Sequence, residues 1–164
     1  KPLVEVFEDA AWGEAVGERL RQRLVSHPGL RLCLPTGDTP IPAYRAFARH
    51  GGSLAAAEVF LLDEFLLPAG DPARGDQMLR RTLLDLLEEP PGTLHTIDVA
   101  EEPLERECAR YEEVVATGGL DLTLLGLGRN GHIGLNEPGT DAASLTRPVR
   151  LEQSTVANAA GPHW

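Results

Sequence analysis

The sequence predicts an α/β fold in which a mainly parallel sheet carries helices on both faces. Three observations point to it. Apolar β-type runs alternate with helical-period segments from end to end, the pattern of strands joined by helical crossovers. The run Leu120 to Leu127 is the most apolar of all and suits a strand in the middle of a sheet covered on both sides. Three polar clusters each follow a predicted strand directly, and in such sheets ligands bind beyond the carboxyl ends of the strands. The architecture implied is doubly wound (Rossmann-like).

Leu3 to Phe7 reads as a first strand. A helix from Ala10 to Ser26 follows, with Ala11, Val16, Leu20 and Leu24 near helical spacing, and His27-Pro28-Gly29 stops it. Leu30 to Leu34 is the second strand. The next helix carries Ile41, Tyr44 and Phe47 and ends at Gly51-Gly52; Val59 to Leu62 is the third strand. Residues 66–75 read as loop. Asp76 is placed to cap a helix reaching Leu87, and Pro90-Pro91-Gly92 closes it. A short strand at Leu94 to Ile97 precedes a charged helix from Leu104 to Ala116, ended by Gly118-Gly119. Thr146 to Leu151 reads as one more strand, and Ser154 as the cap of a last helical turn.

The 164 residues suffice for one domain, 1–164, with a real core, and fall short of two. Formal net charge is −10, from 25 acidic against 15 basic side chains, which argues against nucleic acid or an acidic membrane surface as partner. A small anion stays open, because a few local donors decide its binding. The two cysteines, Cys33 and Cys108, form no C-x-x-C pair, and Cys33 lies in an apolar run; a reducing compartment is expected. The N-terminus lacks the pattern of a signal peptide, and no apolar run nears the roughly 18 residues of a membrane span. A cytoplasmic protein is the expectation.

In the segment Gly126 to Pro138, glycines allow close backbone approach to a ligand, and His132 can both take and give a proton near neutral pH. Glu137, five residues on, is placed to hydrogen-bond the imidazole and fix its tautomer. The alternative is a loop histidine that only satisfies backbone groups. Asp63-Glu64 follows a strand, where a carboxylate serves as a base if burial raises its pKa; two solvated charges are the plainer reading. Thr36-Gly37-Asp38-Thr39 precedes a helix, so its backbone N–H groups and the two threonine hydroxyls can cradle an anion. The plain alternative is a turn with Asp38 or Thr39 capping the helix and Pro40 at its first position. His27, His50 and His95 have no metal-ligand spacing, and Gly-x-Ser-x-Gly is absent.

Together these clusters resemble the glucosamine-6-phosphate deaminase (isomerase) family, which shares its fold with 6-phosphogluconolactonases. The matching segments are Leu34 to Pro40, Phe60-Leu61-Leu62-Asp63-Glu64-Phe65 and Gly126 to Pro138, with Glu107-Cys108-Ala109-Arg110-Tyr111 and Gly119-Leu120-Asp121-Leu122 beside them. The resemblance covers essentially the whole chain. Gly-His-Ile-Gly-Leu-Asn-Glu-Pro separates deaminases from lactonases, whose loop continues from Gly-His with Thr-Ala-Ser.

The resemblance implies a reaction without metal or cofactor: a hexosamine 6-phosphate and water give a ketose 6-phosphate and ammonia. It makes Asp63 the base that moves a proton from C2 to C1 and His132 the residue that opens the pyranose ring. Glu137 becomes the carboxylate partner of His132, and Asn130 an orienting side chain. Thr36, Gly37, Asp38 and Thr39, with Glu64 and Gly131, fall at the substrate and its phosphate. The partner is then a small sugar phosphate, with a homo-oligomer left open.

The chain also departs from the family. Asp38 stands where the phosphate loop usually has Gly or Ser; a carboxylate about 4 Å from a phosphate costs on the order of 1 kcal/mol in water and more when dry. Ala160 stands where a phosphate-binding Arg is placed, Gly75-Asp76 replaces a Ser/Asn-Tyr pair, and Lys1 is the only lysine. Family members continue for tens of residues, so the expectation is a partial sequence lacking the C-terminal part of the fold; a missing layer supplied by another subunit is the other reading. A sugar-phosphate lactonase and a non-catalytic sugar-phosphate sensor are the competing functions.

Overall fold

Residues Arg31–Leu34 (β1) and Glu58–Leu61 (β2) carry apolar side chains on both of their faces, so each strand demands cover above and below. The computed structural model describes residues 2–9, 11–100 and 103–159 and shows that cover. β1 and β2 run parallel with Leu32 opposite Val59 and Leu34 opposite Leu61; β3 (Thr93–His95) adds parallel to β2, and β4 (Leu122–Thr123) parallel to β1. The order is β3-β2-β1-β4.

On one face Leu32, Leu34, Val59 and Leu61 pack with Leu20 and Leu24 of helix α1 (Trp12–Ser26), Tyr44 and Phe47 of α2 (Ile41–Arg49), and Leu79 of α3 (Gly75–Thr82). On the other face Cys33 and Phe60 pack with Tyr111, Val114 and Val115 of α4 (Leu104–Ala116). The sheet is parallel and covered on both sides, as the alternation of elements predicts. A short α5 (Gln153–Ala159) follows.

The two tyrosines of the chain serve the sheet from opposite layers. Tyr44 donates its hydroxyl to the Pro35 carbonyl at 2.7 Å, and Tyr111 donates to the Leu61 carbonyl at 2.6 Å. Each thus pins the carboxyl end of a central strand.

α1 and α2 pack closely because Gly17 has no side chain. A Cβ there would fall 2.6 Å from the Ala43 carbonyl oxygen and 2.7 Å from the Ala46 Cβ. Gly17→Ala therefore sets two effects against each other. Helix propensity favours alanine by about 1 kcal/mol, whereas overpacking costs about 1–3 kcal/mol and backbone cannot give way as a side chain does. The clash wins: urea unfolding of Gly17→Ala is expected at a lower midpoint, and a raised midpoint would show the helices free to separate.

Several elements differ from the sequence reading. Leu3 to Phe7 is not a strand; Leu3, Val4 and Val6 are 82%, 77% and 91% exposed, and the exposed Glu5–Arg19 ion pair at 2.6 Å ties the segment to α1. Its β-type side chains specify pleating but no partner, and none of the described residues pairs with it. Leu120 to Leu127 shrinks to β4 and lies at the sheet edge rather than in the middle, with Leu125 49% and Leu127 78% exposed. Hydrophobicity selects strand, but centrality needs a neighbour on both sides, and among the described residues β4 pairs with β1 alone. Thr146 to Leu151 forms no strand, because the Thr146 N–H and hydroxyl both bind Glu112 Oε2 of α4, at 2.8 and 2.7 Å. Asp76 does not cap α3: the N-cap is Arg74, without a side-chain cap bond, and the helix stops at Thr82 before a 3-10 turn at Leu84–Leu86. Ser154 lies within α5 rather than capping it. Ala10, Ala160 and Lys1 lie outside the described residues. Among those described, no helix is long and apolar enough to cross a membrane.

Candidate active site

All strands are parallel, so the segments that leave β1, β2 and β4 emerge at one edge. The Leu62 N–H bonds the Leu34 carbonyl at 3.0 Å, which sets Asp63 beside the turn that begins at Pro35. In that turn Gly37 has φ +90°, and Ile41 N–H returns to the Asp38 carbonyl at 3.2 Å. Neither Asp38 nor Thr39 caps α2. Among the described residues none accepts from the backbone N–H groups of Gly37, Asp38 or Thr39, so these donors stay open at the helix start. Asp38 and Thr39 are exposed, so the Asp38 carboxylate has solvent to point into.

Asp63 is half-buried. Burial, and after it the neighbouring Glu64 carboxylate, push its carboxyl up from 3.8 to about 6. Buried Cys33 and Tyr44, and Tyr111 from the other layer, lie close enough to feel its charge. Burial and then Asp63 drive the Cys33 thiol to about 12, which keeps it protonated and removes it as a nucleophile.

Glu64 has another task than touching a ligand. Its side chain is 1% exposed, and its oxygens accept from the N–H groups of Gly75 at 2.6 Å, Phe65 at 2.8 Å and Asp76 at 3.1 Å, with Arg74 3.7 Å away. Burial pushes this carboxyl up, and the three N–H donors pull it back. The cap expected from Asp76 is supplied across space by Glu64, and no part of that carboxylate is left to meet a sugar or phosphate. The residue beside Asp63 thereby fastens the loop after β2 to the first turn of α3.

The segment Gly126 to Pro138 folds as two tight turns. Gly128 N–H bonds the His132 carbonyl at 2.9 Å, Gly131 N–H returns to the Gly128 carbonyl at 2.9 Å, and Ile133 and Asn136 exchange backbone bonds at 3.1 and 3.0 Å. The second turn brings Gly134, at φ +58°, against the loop after β2: a Cβ there would lie 3.3 Å from Asp63 Oδ2. The backbone angle at residue 134 favours glycine, and a side chain there would press on the Asp63 carboxylate. Asp63 and the His132 loop therefore meet directly.

Glu137 does not bond the imidazole, contrary to the sequence expectation; Asn130 stands between them. Asn130 Oδ1 accepts from the His132 backbone N–H at 3.1 Å and lies 2.7 Å from His132 Nδ1, while Asn130 Nδ2 donates to Glu137 Oε2 at 2.8 Å. A backbone N–H only donates, so the amide oxygen faces the histidine, and Nδ1 must carry the proton that completes the shorter bond. Neutral His132 then has Nε2 as a bare acceptor. Glu137 is held below the usual carboxylate range by a hydrogen bond from the Thr155 hydroxyl, then by the Glu152 N–H and by Asn130. The Asn130 amide thus bridges His132 to Glu137, which lies seven positions further along the chain from Asn130.

Two further residues escape the sequence reading. The His132 ring lies over the Gly128 Cα, where a Cβ would come within 2.2–2.4 Å of three ring atoms. Gly128→Ala is expected to push the ring off Asn130 and to lower turnover at least tenfold with little change in stability; unchanged turnover would mean that the ring has another seat. Thr155 of α5 is 3% exposed and reaches the same cluster. Neither carries a sequence signal beyond membership of a glycine-rich run or a short helix. A surface groove of about 440 Å³ beside α4, lined by Cys108, Glu112 and Thr146, includes none of these residues.

Residues 8–157 match the family model described as glucosamine-6-phosphate isomerases/6-phosphogluconolactonase. A glucosamine-6-phosphate deaminase of Pseudarthrobacter chlorophenolicus is 38% identical over 148 residues, covering 87% of this chain and 57% of that protein. Glucosamine-6-phosphate deaminase 1 of Giardia intestinalis is 38% identical over 168 residues, covering 96% of this chain and 62% of that one. The chain thus spans about three-fifths of the length of these curated relatives. Among solved structures, a monomeric glucosamine-6-phosphate deaminase superposes with TM-score 0.88 at 30% identity, over 96% of this chain and 68% of that one. A 6-phosphogluconolactonase of Thermotoga maritima gives 0.70 at 27%, over 82% and 63%. A match that runs through 150 of the 164 positions and through all three loops at the strand ends places the chain in one family: it belongs to the glucosamine-6-phosphate isomerases/6-phosphogluconolactonases.

Proposed function

We propose that the protein of which this chain is part is a hexosamine-6-phosphate deaminase, with glucosamine 6-phosphate as favoured substrate. The observation that carries the reading is the meeting of Asp63 with the His132 loop at Gly134: a carboxylate able to act as a base near neutral pH beside an imidazole whose Nε2 is bare. These are the two acid–base groups the reaction needs.

His132 Nε2 takes the proton of the C1 hydroxyl and delivers it to the ring oxygen as the bond from C1 to that oxygen breaks, giving the open-chain aldehyde. Asp63 then removes the C2 proton, leaving an enolamine, and returns it at C1, which leaves C2 as an imine. Water adds to that imine and ammonia leaves, so the balance is hexosamine phosphate plus water to ketose phosphate plus ammonia. The net step is a hydrolysis. Asn130 transmits the charge that develops on His132 to Glu137, which stays ionised. Open N–H groups at Gly37 to Thr39 offer the anionic end a place at the start of α2. Cys33 and Cys108 are both free thiols, which supports a cytoplasmic setting.

A coupled ammonia assay over glucosamine and galactosamine 6-phosphates tests this. Ammonia from neither sinks the reading. Faster hydrolysis of a sugar-phosphate lactone would favour the lactonase branch, and ligand-induced thermal stabilisation without turnover would favour a sensor.

A further inference from the structure

Helix α5 is inverted relative to an ordinary surface helix. Its Val156 is 43% exposed, whereas Thr155 is 3% exposed. Burying a hydroxyl is unfavourable unless its hydrogen bonds are replaced, and here they are. Thr155 Oγ1 lies 3.2 Å from Asn130 Nδ2 and 3.4 Å from His132 Nδ1.

The roles follow from what each group can do. The amide NH2 of Asn130 only donates, so it gives to the Thr155 hydroxyl oxygen. Asn130 then has its two amide protons on Glu137 and Thr155, and its oxygen on the backbone and ring of His132. An amide held at both ends cannot flip. We propose that Thr155 is a positioning residue for His132: its hydroxyl oxygen takes the second amide proton of Asn130 and so fixes the amide that holds the imidazole in its Nδ1–H form. The catalytic consequence rests on the role proposed for His132, but the tautomer does not.

The test is a ring-nitrogen NMR spectrum of the chain labelled with 15N-histidine, at alkaline pH where the ring is neutral, with His132→Gln used to assign the signals. The unsubstituted chain is expected to show His132 protonated at Nδ1. Thr155→Val, nearly isosteric but without the hydroxyl, is expected to show a mixture with the Nε2–H form, and Thr155→Ser to restore the Nδ1–H signature. Ammonia release should follow, with kcat at least tenfold lower for the valine variant and KM within about twofold. A valine variant that keeps the Nδ1–H form, or a serine variant that loses it equally, overturns the proposal. Should the valine chain not fold, Thr155→Ala is read in the same way. Absence of ammonia from the unsubstituted chain would remove the deaminase reading alone, since the spectrum decides the role of Thr155 independently.

Discussion

Asp63→Asn is expected to abolish ammonia release, a fall on the order of 10³–10⁴-fold in kcat, while making the chain harder to unfold. Asparagine keeps the shape of the side chain and its contact with Gly134, but it cannot take the C2 proton. The stability gain follows from the raised carboxyl. In the fold Asp63 titrates at about 6 rather than 3.8, so between these values the folded chain holds a proton that the unfolded chain has lost. The contribution of Asp63 to stability is therefore greatest below about pH 4, falls as pH rises through about 6, and stays lower above it. At about 1.4 kcal/mol per pH step the cost reaches at most roughly 3 kcal/mol, and a neutral amide avoids it. Urea unfolding at neutral pH should show the higher midpoint in Asp63→Asn. In the unsubstituted enzyme kcat/KM should decline as pH falls through about 6, where the base becomes protonated. Activity above a tenth of the original in the asparagine variant would remove Asp63 from the chemistry.

His132→Gln should lower kcat by about 10²–10³-fold and leave a reaction limited by ring opening. Glutamine preserves neither the basic Nε2 nor the ring that lies over Gly128. Asp63 and its surroundings remain, so proton transfer between C2 and C1 continues once the sugar has opened without help. Added imidazole, small enough to enter the vacated place, should restore part of the rate. Full activity without imidazole would assign ring opening to another group.

The sequence announces the layers because buried strands and amphipathic helices differ in period, and Arg31–Leu34 and Glu58–Leu61 satisfy the demand on both faces. It also announces the site's edge, since Asp63 and His132 follow strands directly. Long-range partnership is what it leaves out. Nothing local tells Leu122 that it will lie at an edge, or Leu3 to Phe7 that no described strand will receive it. Glu64 looks like the twin of Asp63, yet its burial and its hydrogen bonds come from the start of α3, 11 positions away. Asn130 interposes itself between His132 and Glu137 because two turns fold the segment back on itself, a path that linear spacing does not reveal. Thr155 lies 25 positions beyond Asn130, and its inward aim depends on how α5 docks.

The paired tyrosines give the molecule a gradient of stiffness. With Pro35 and Leu61 each moored to a helix, from opposite sides of the sheet, the strand ends beneath the reaction resist displacement in either direction. The segment above them, from Gly126 to Pro138, is moored chiefly to itself and to the short α5. Under the proposed deaminase reading, adaptation to sugars of different shape falls to the upper half of the site, while Asp63 keeps a fixed address. A floor of this kind lets the loop above it change its sequence, and with it the chemistry it favours, without the base losing its aim.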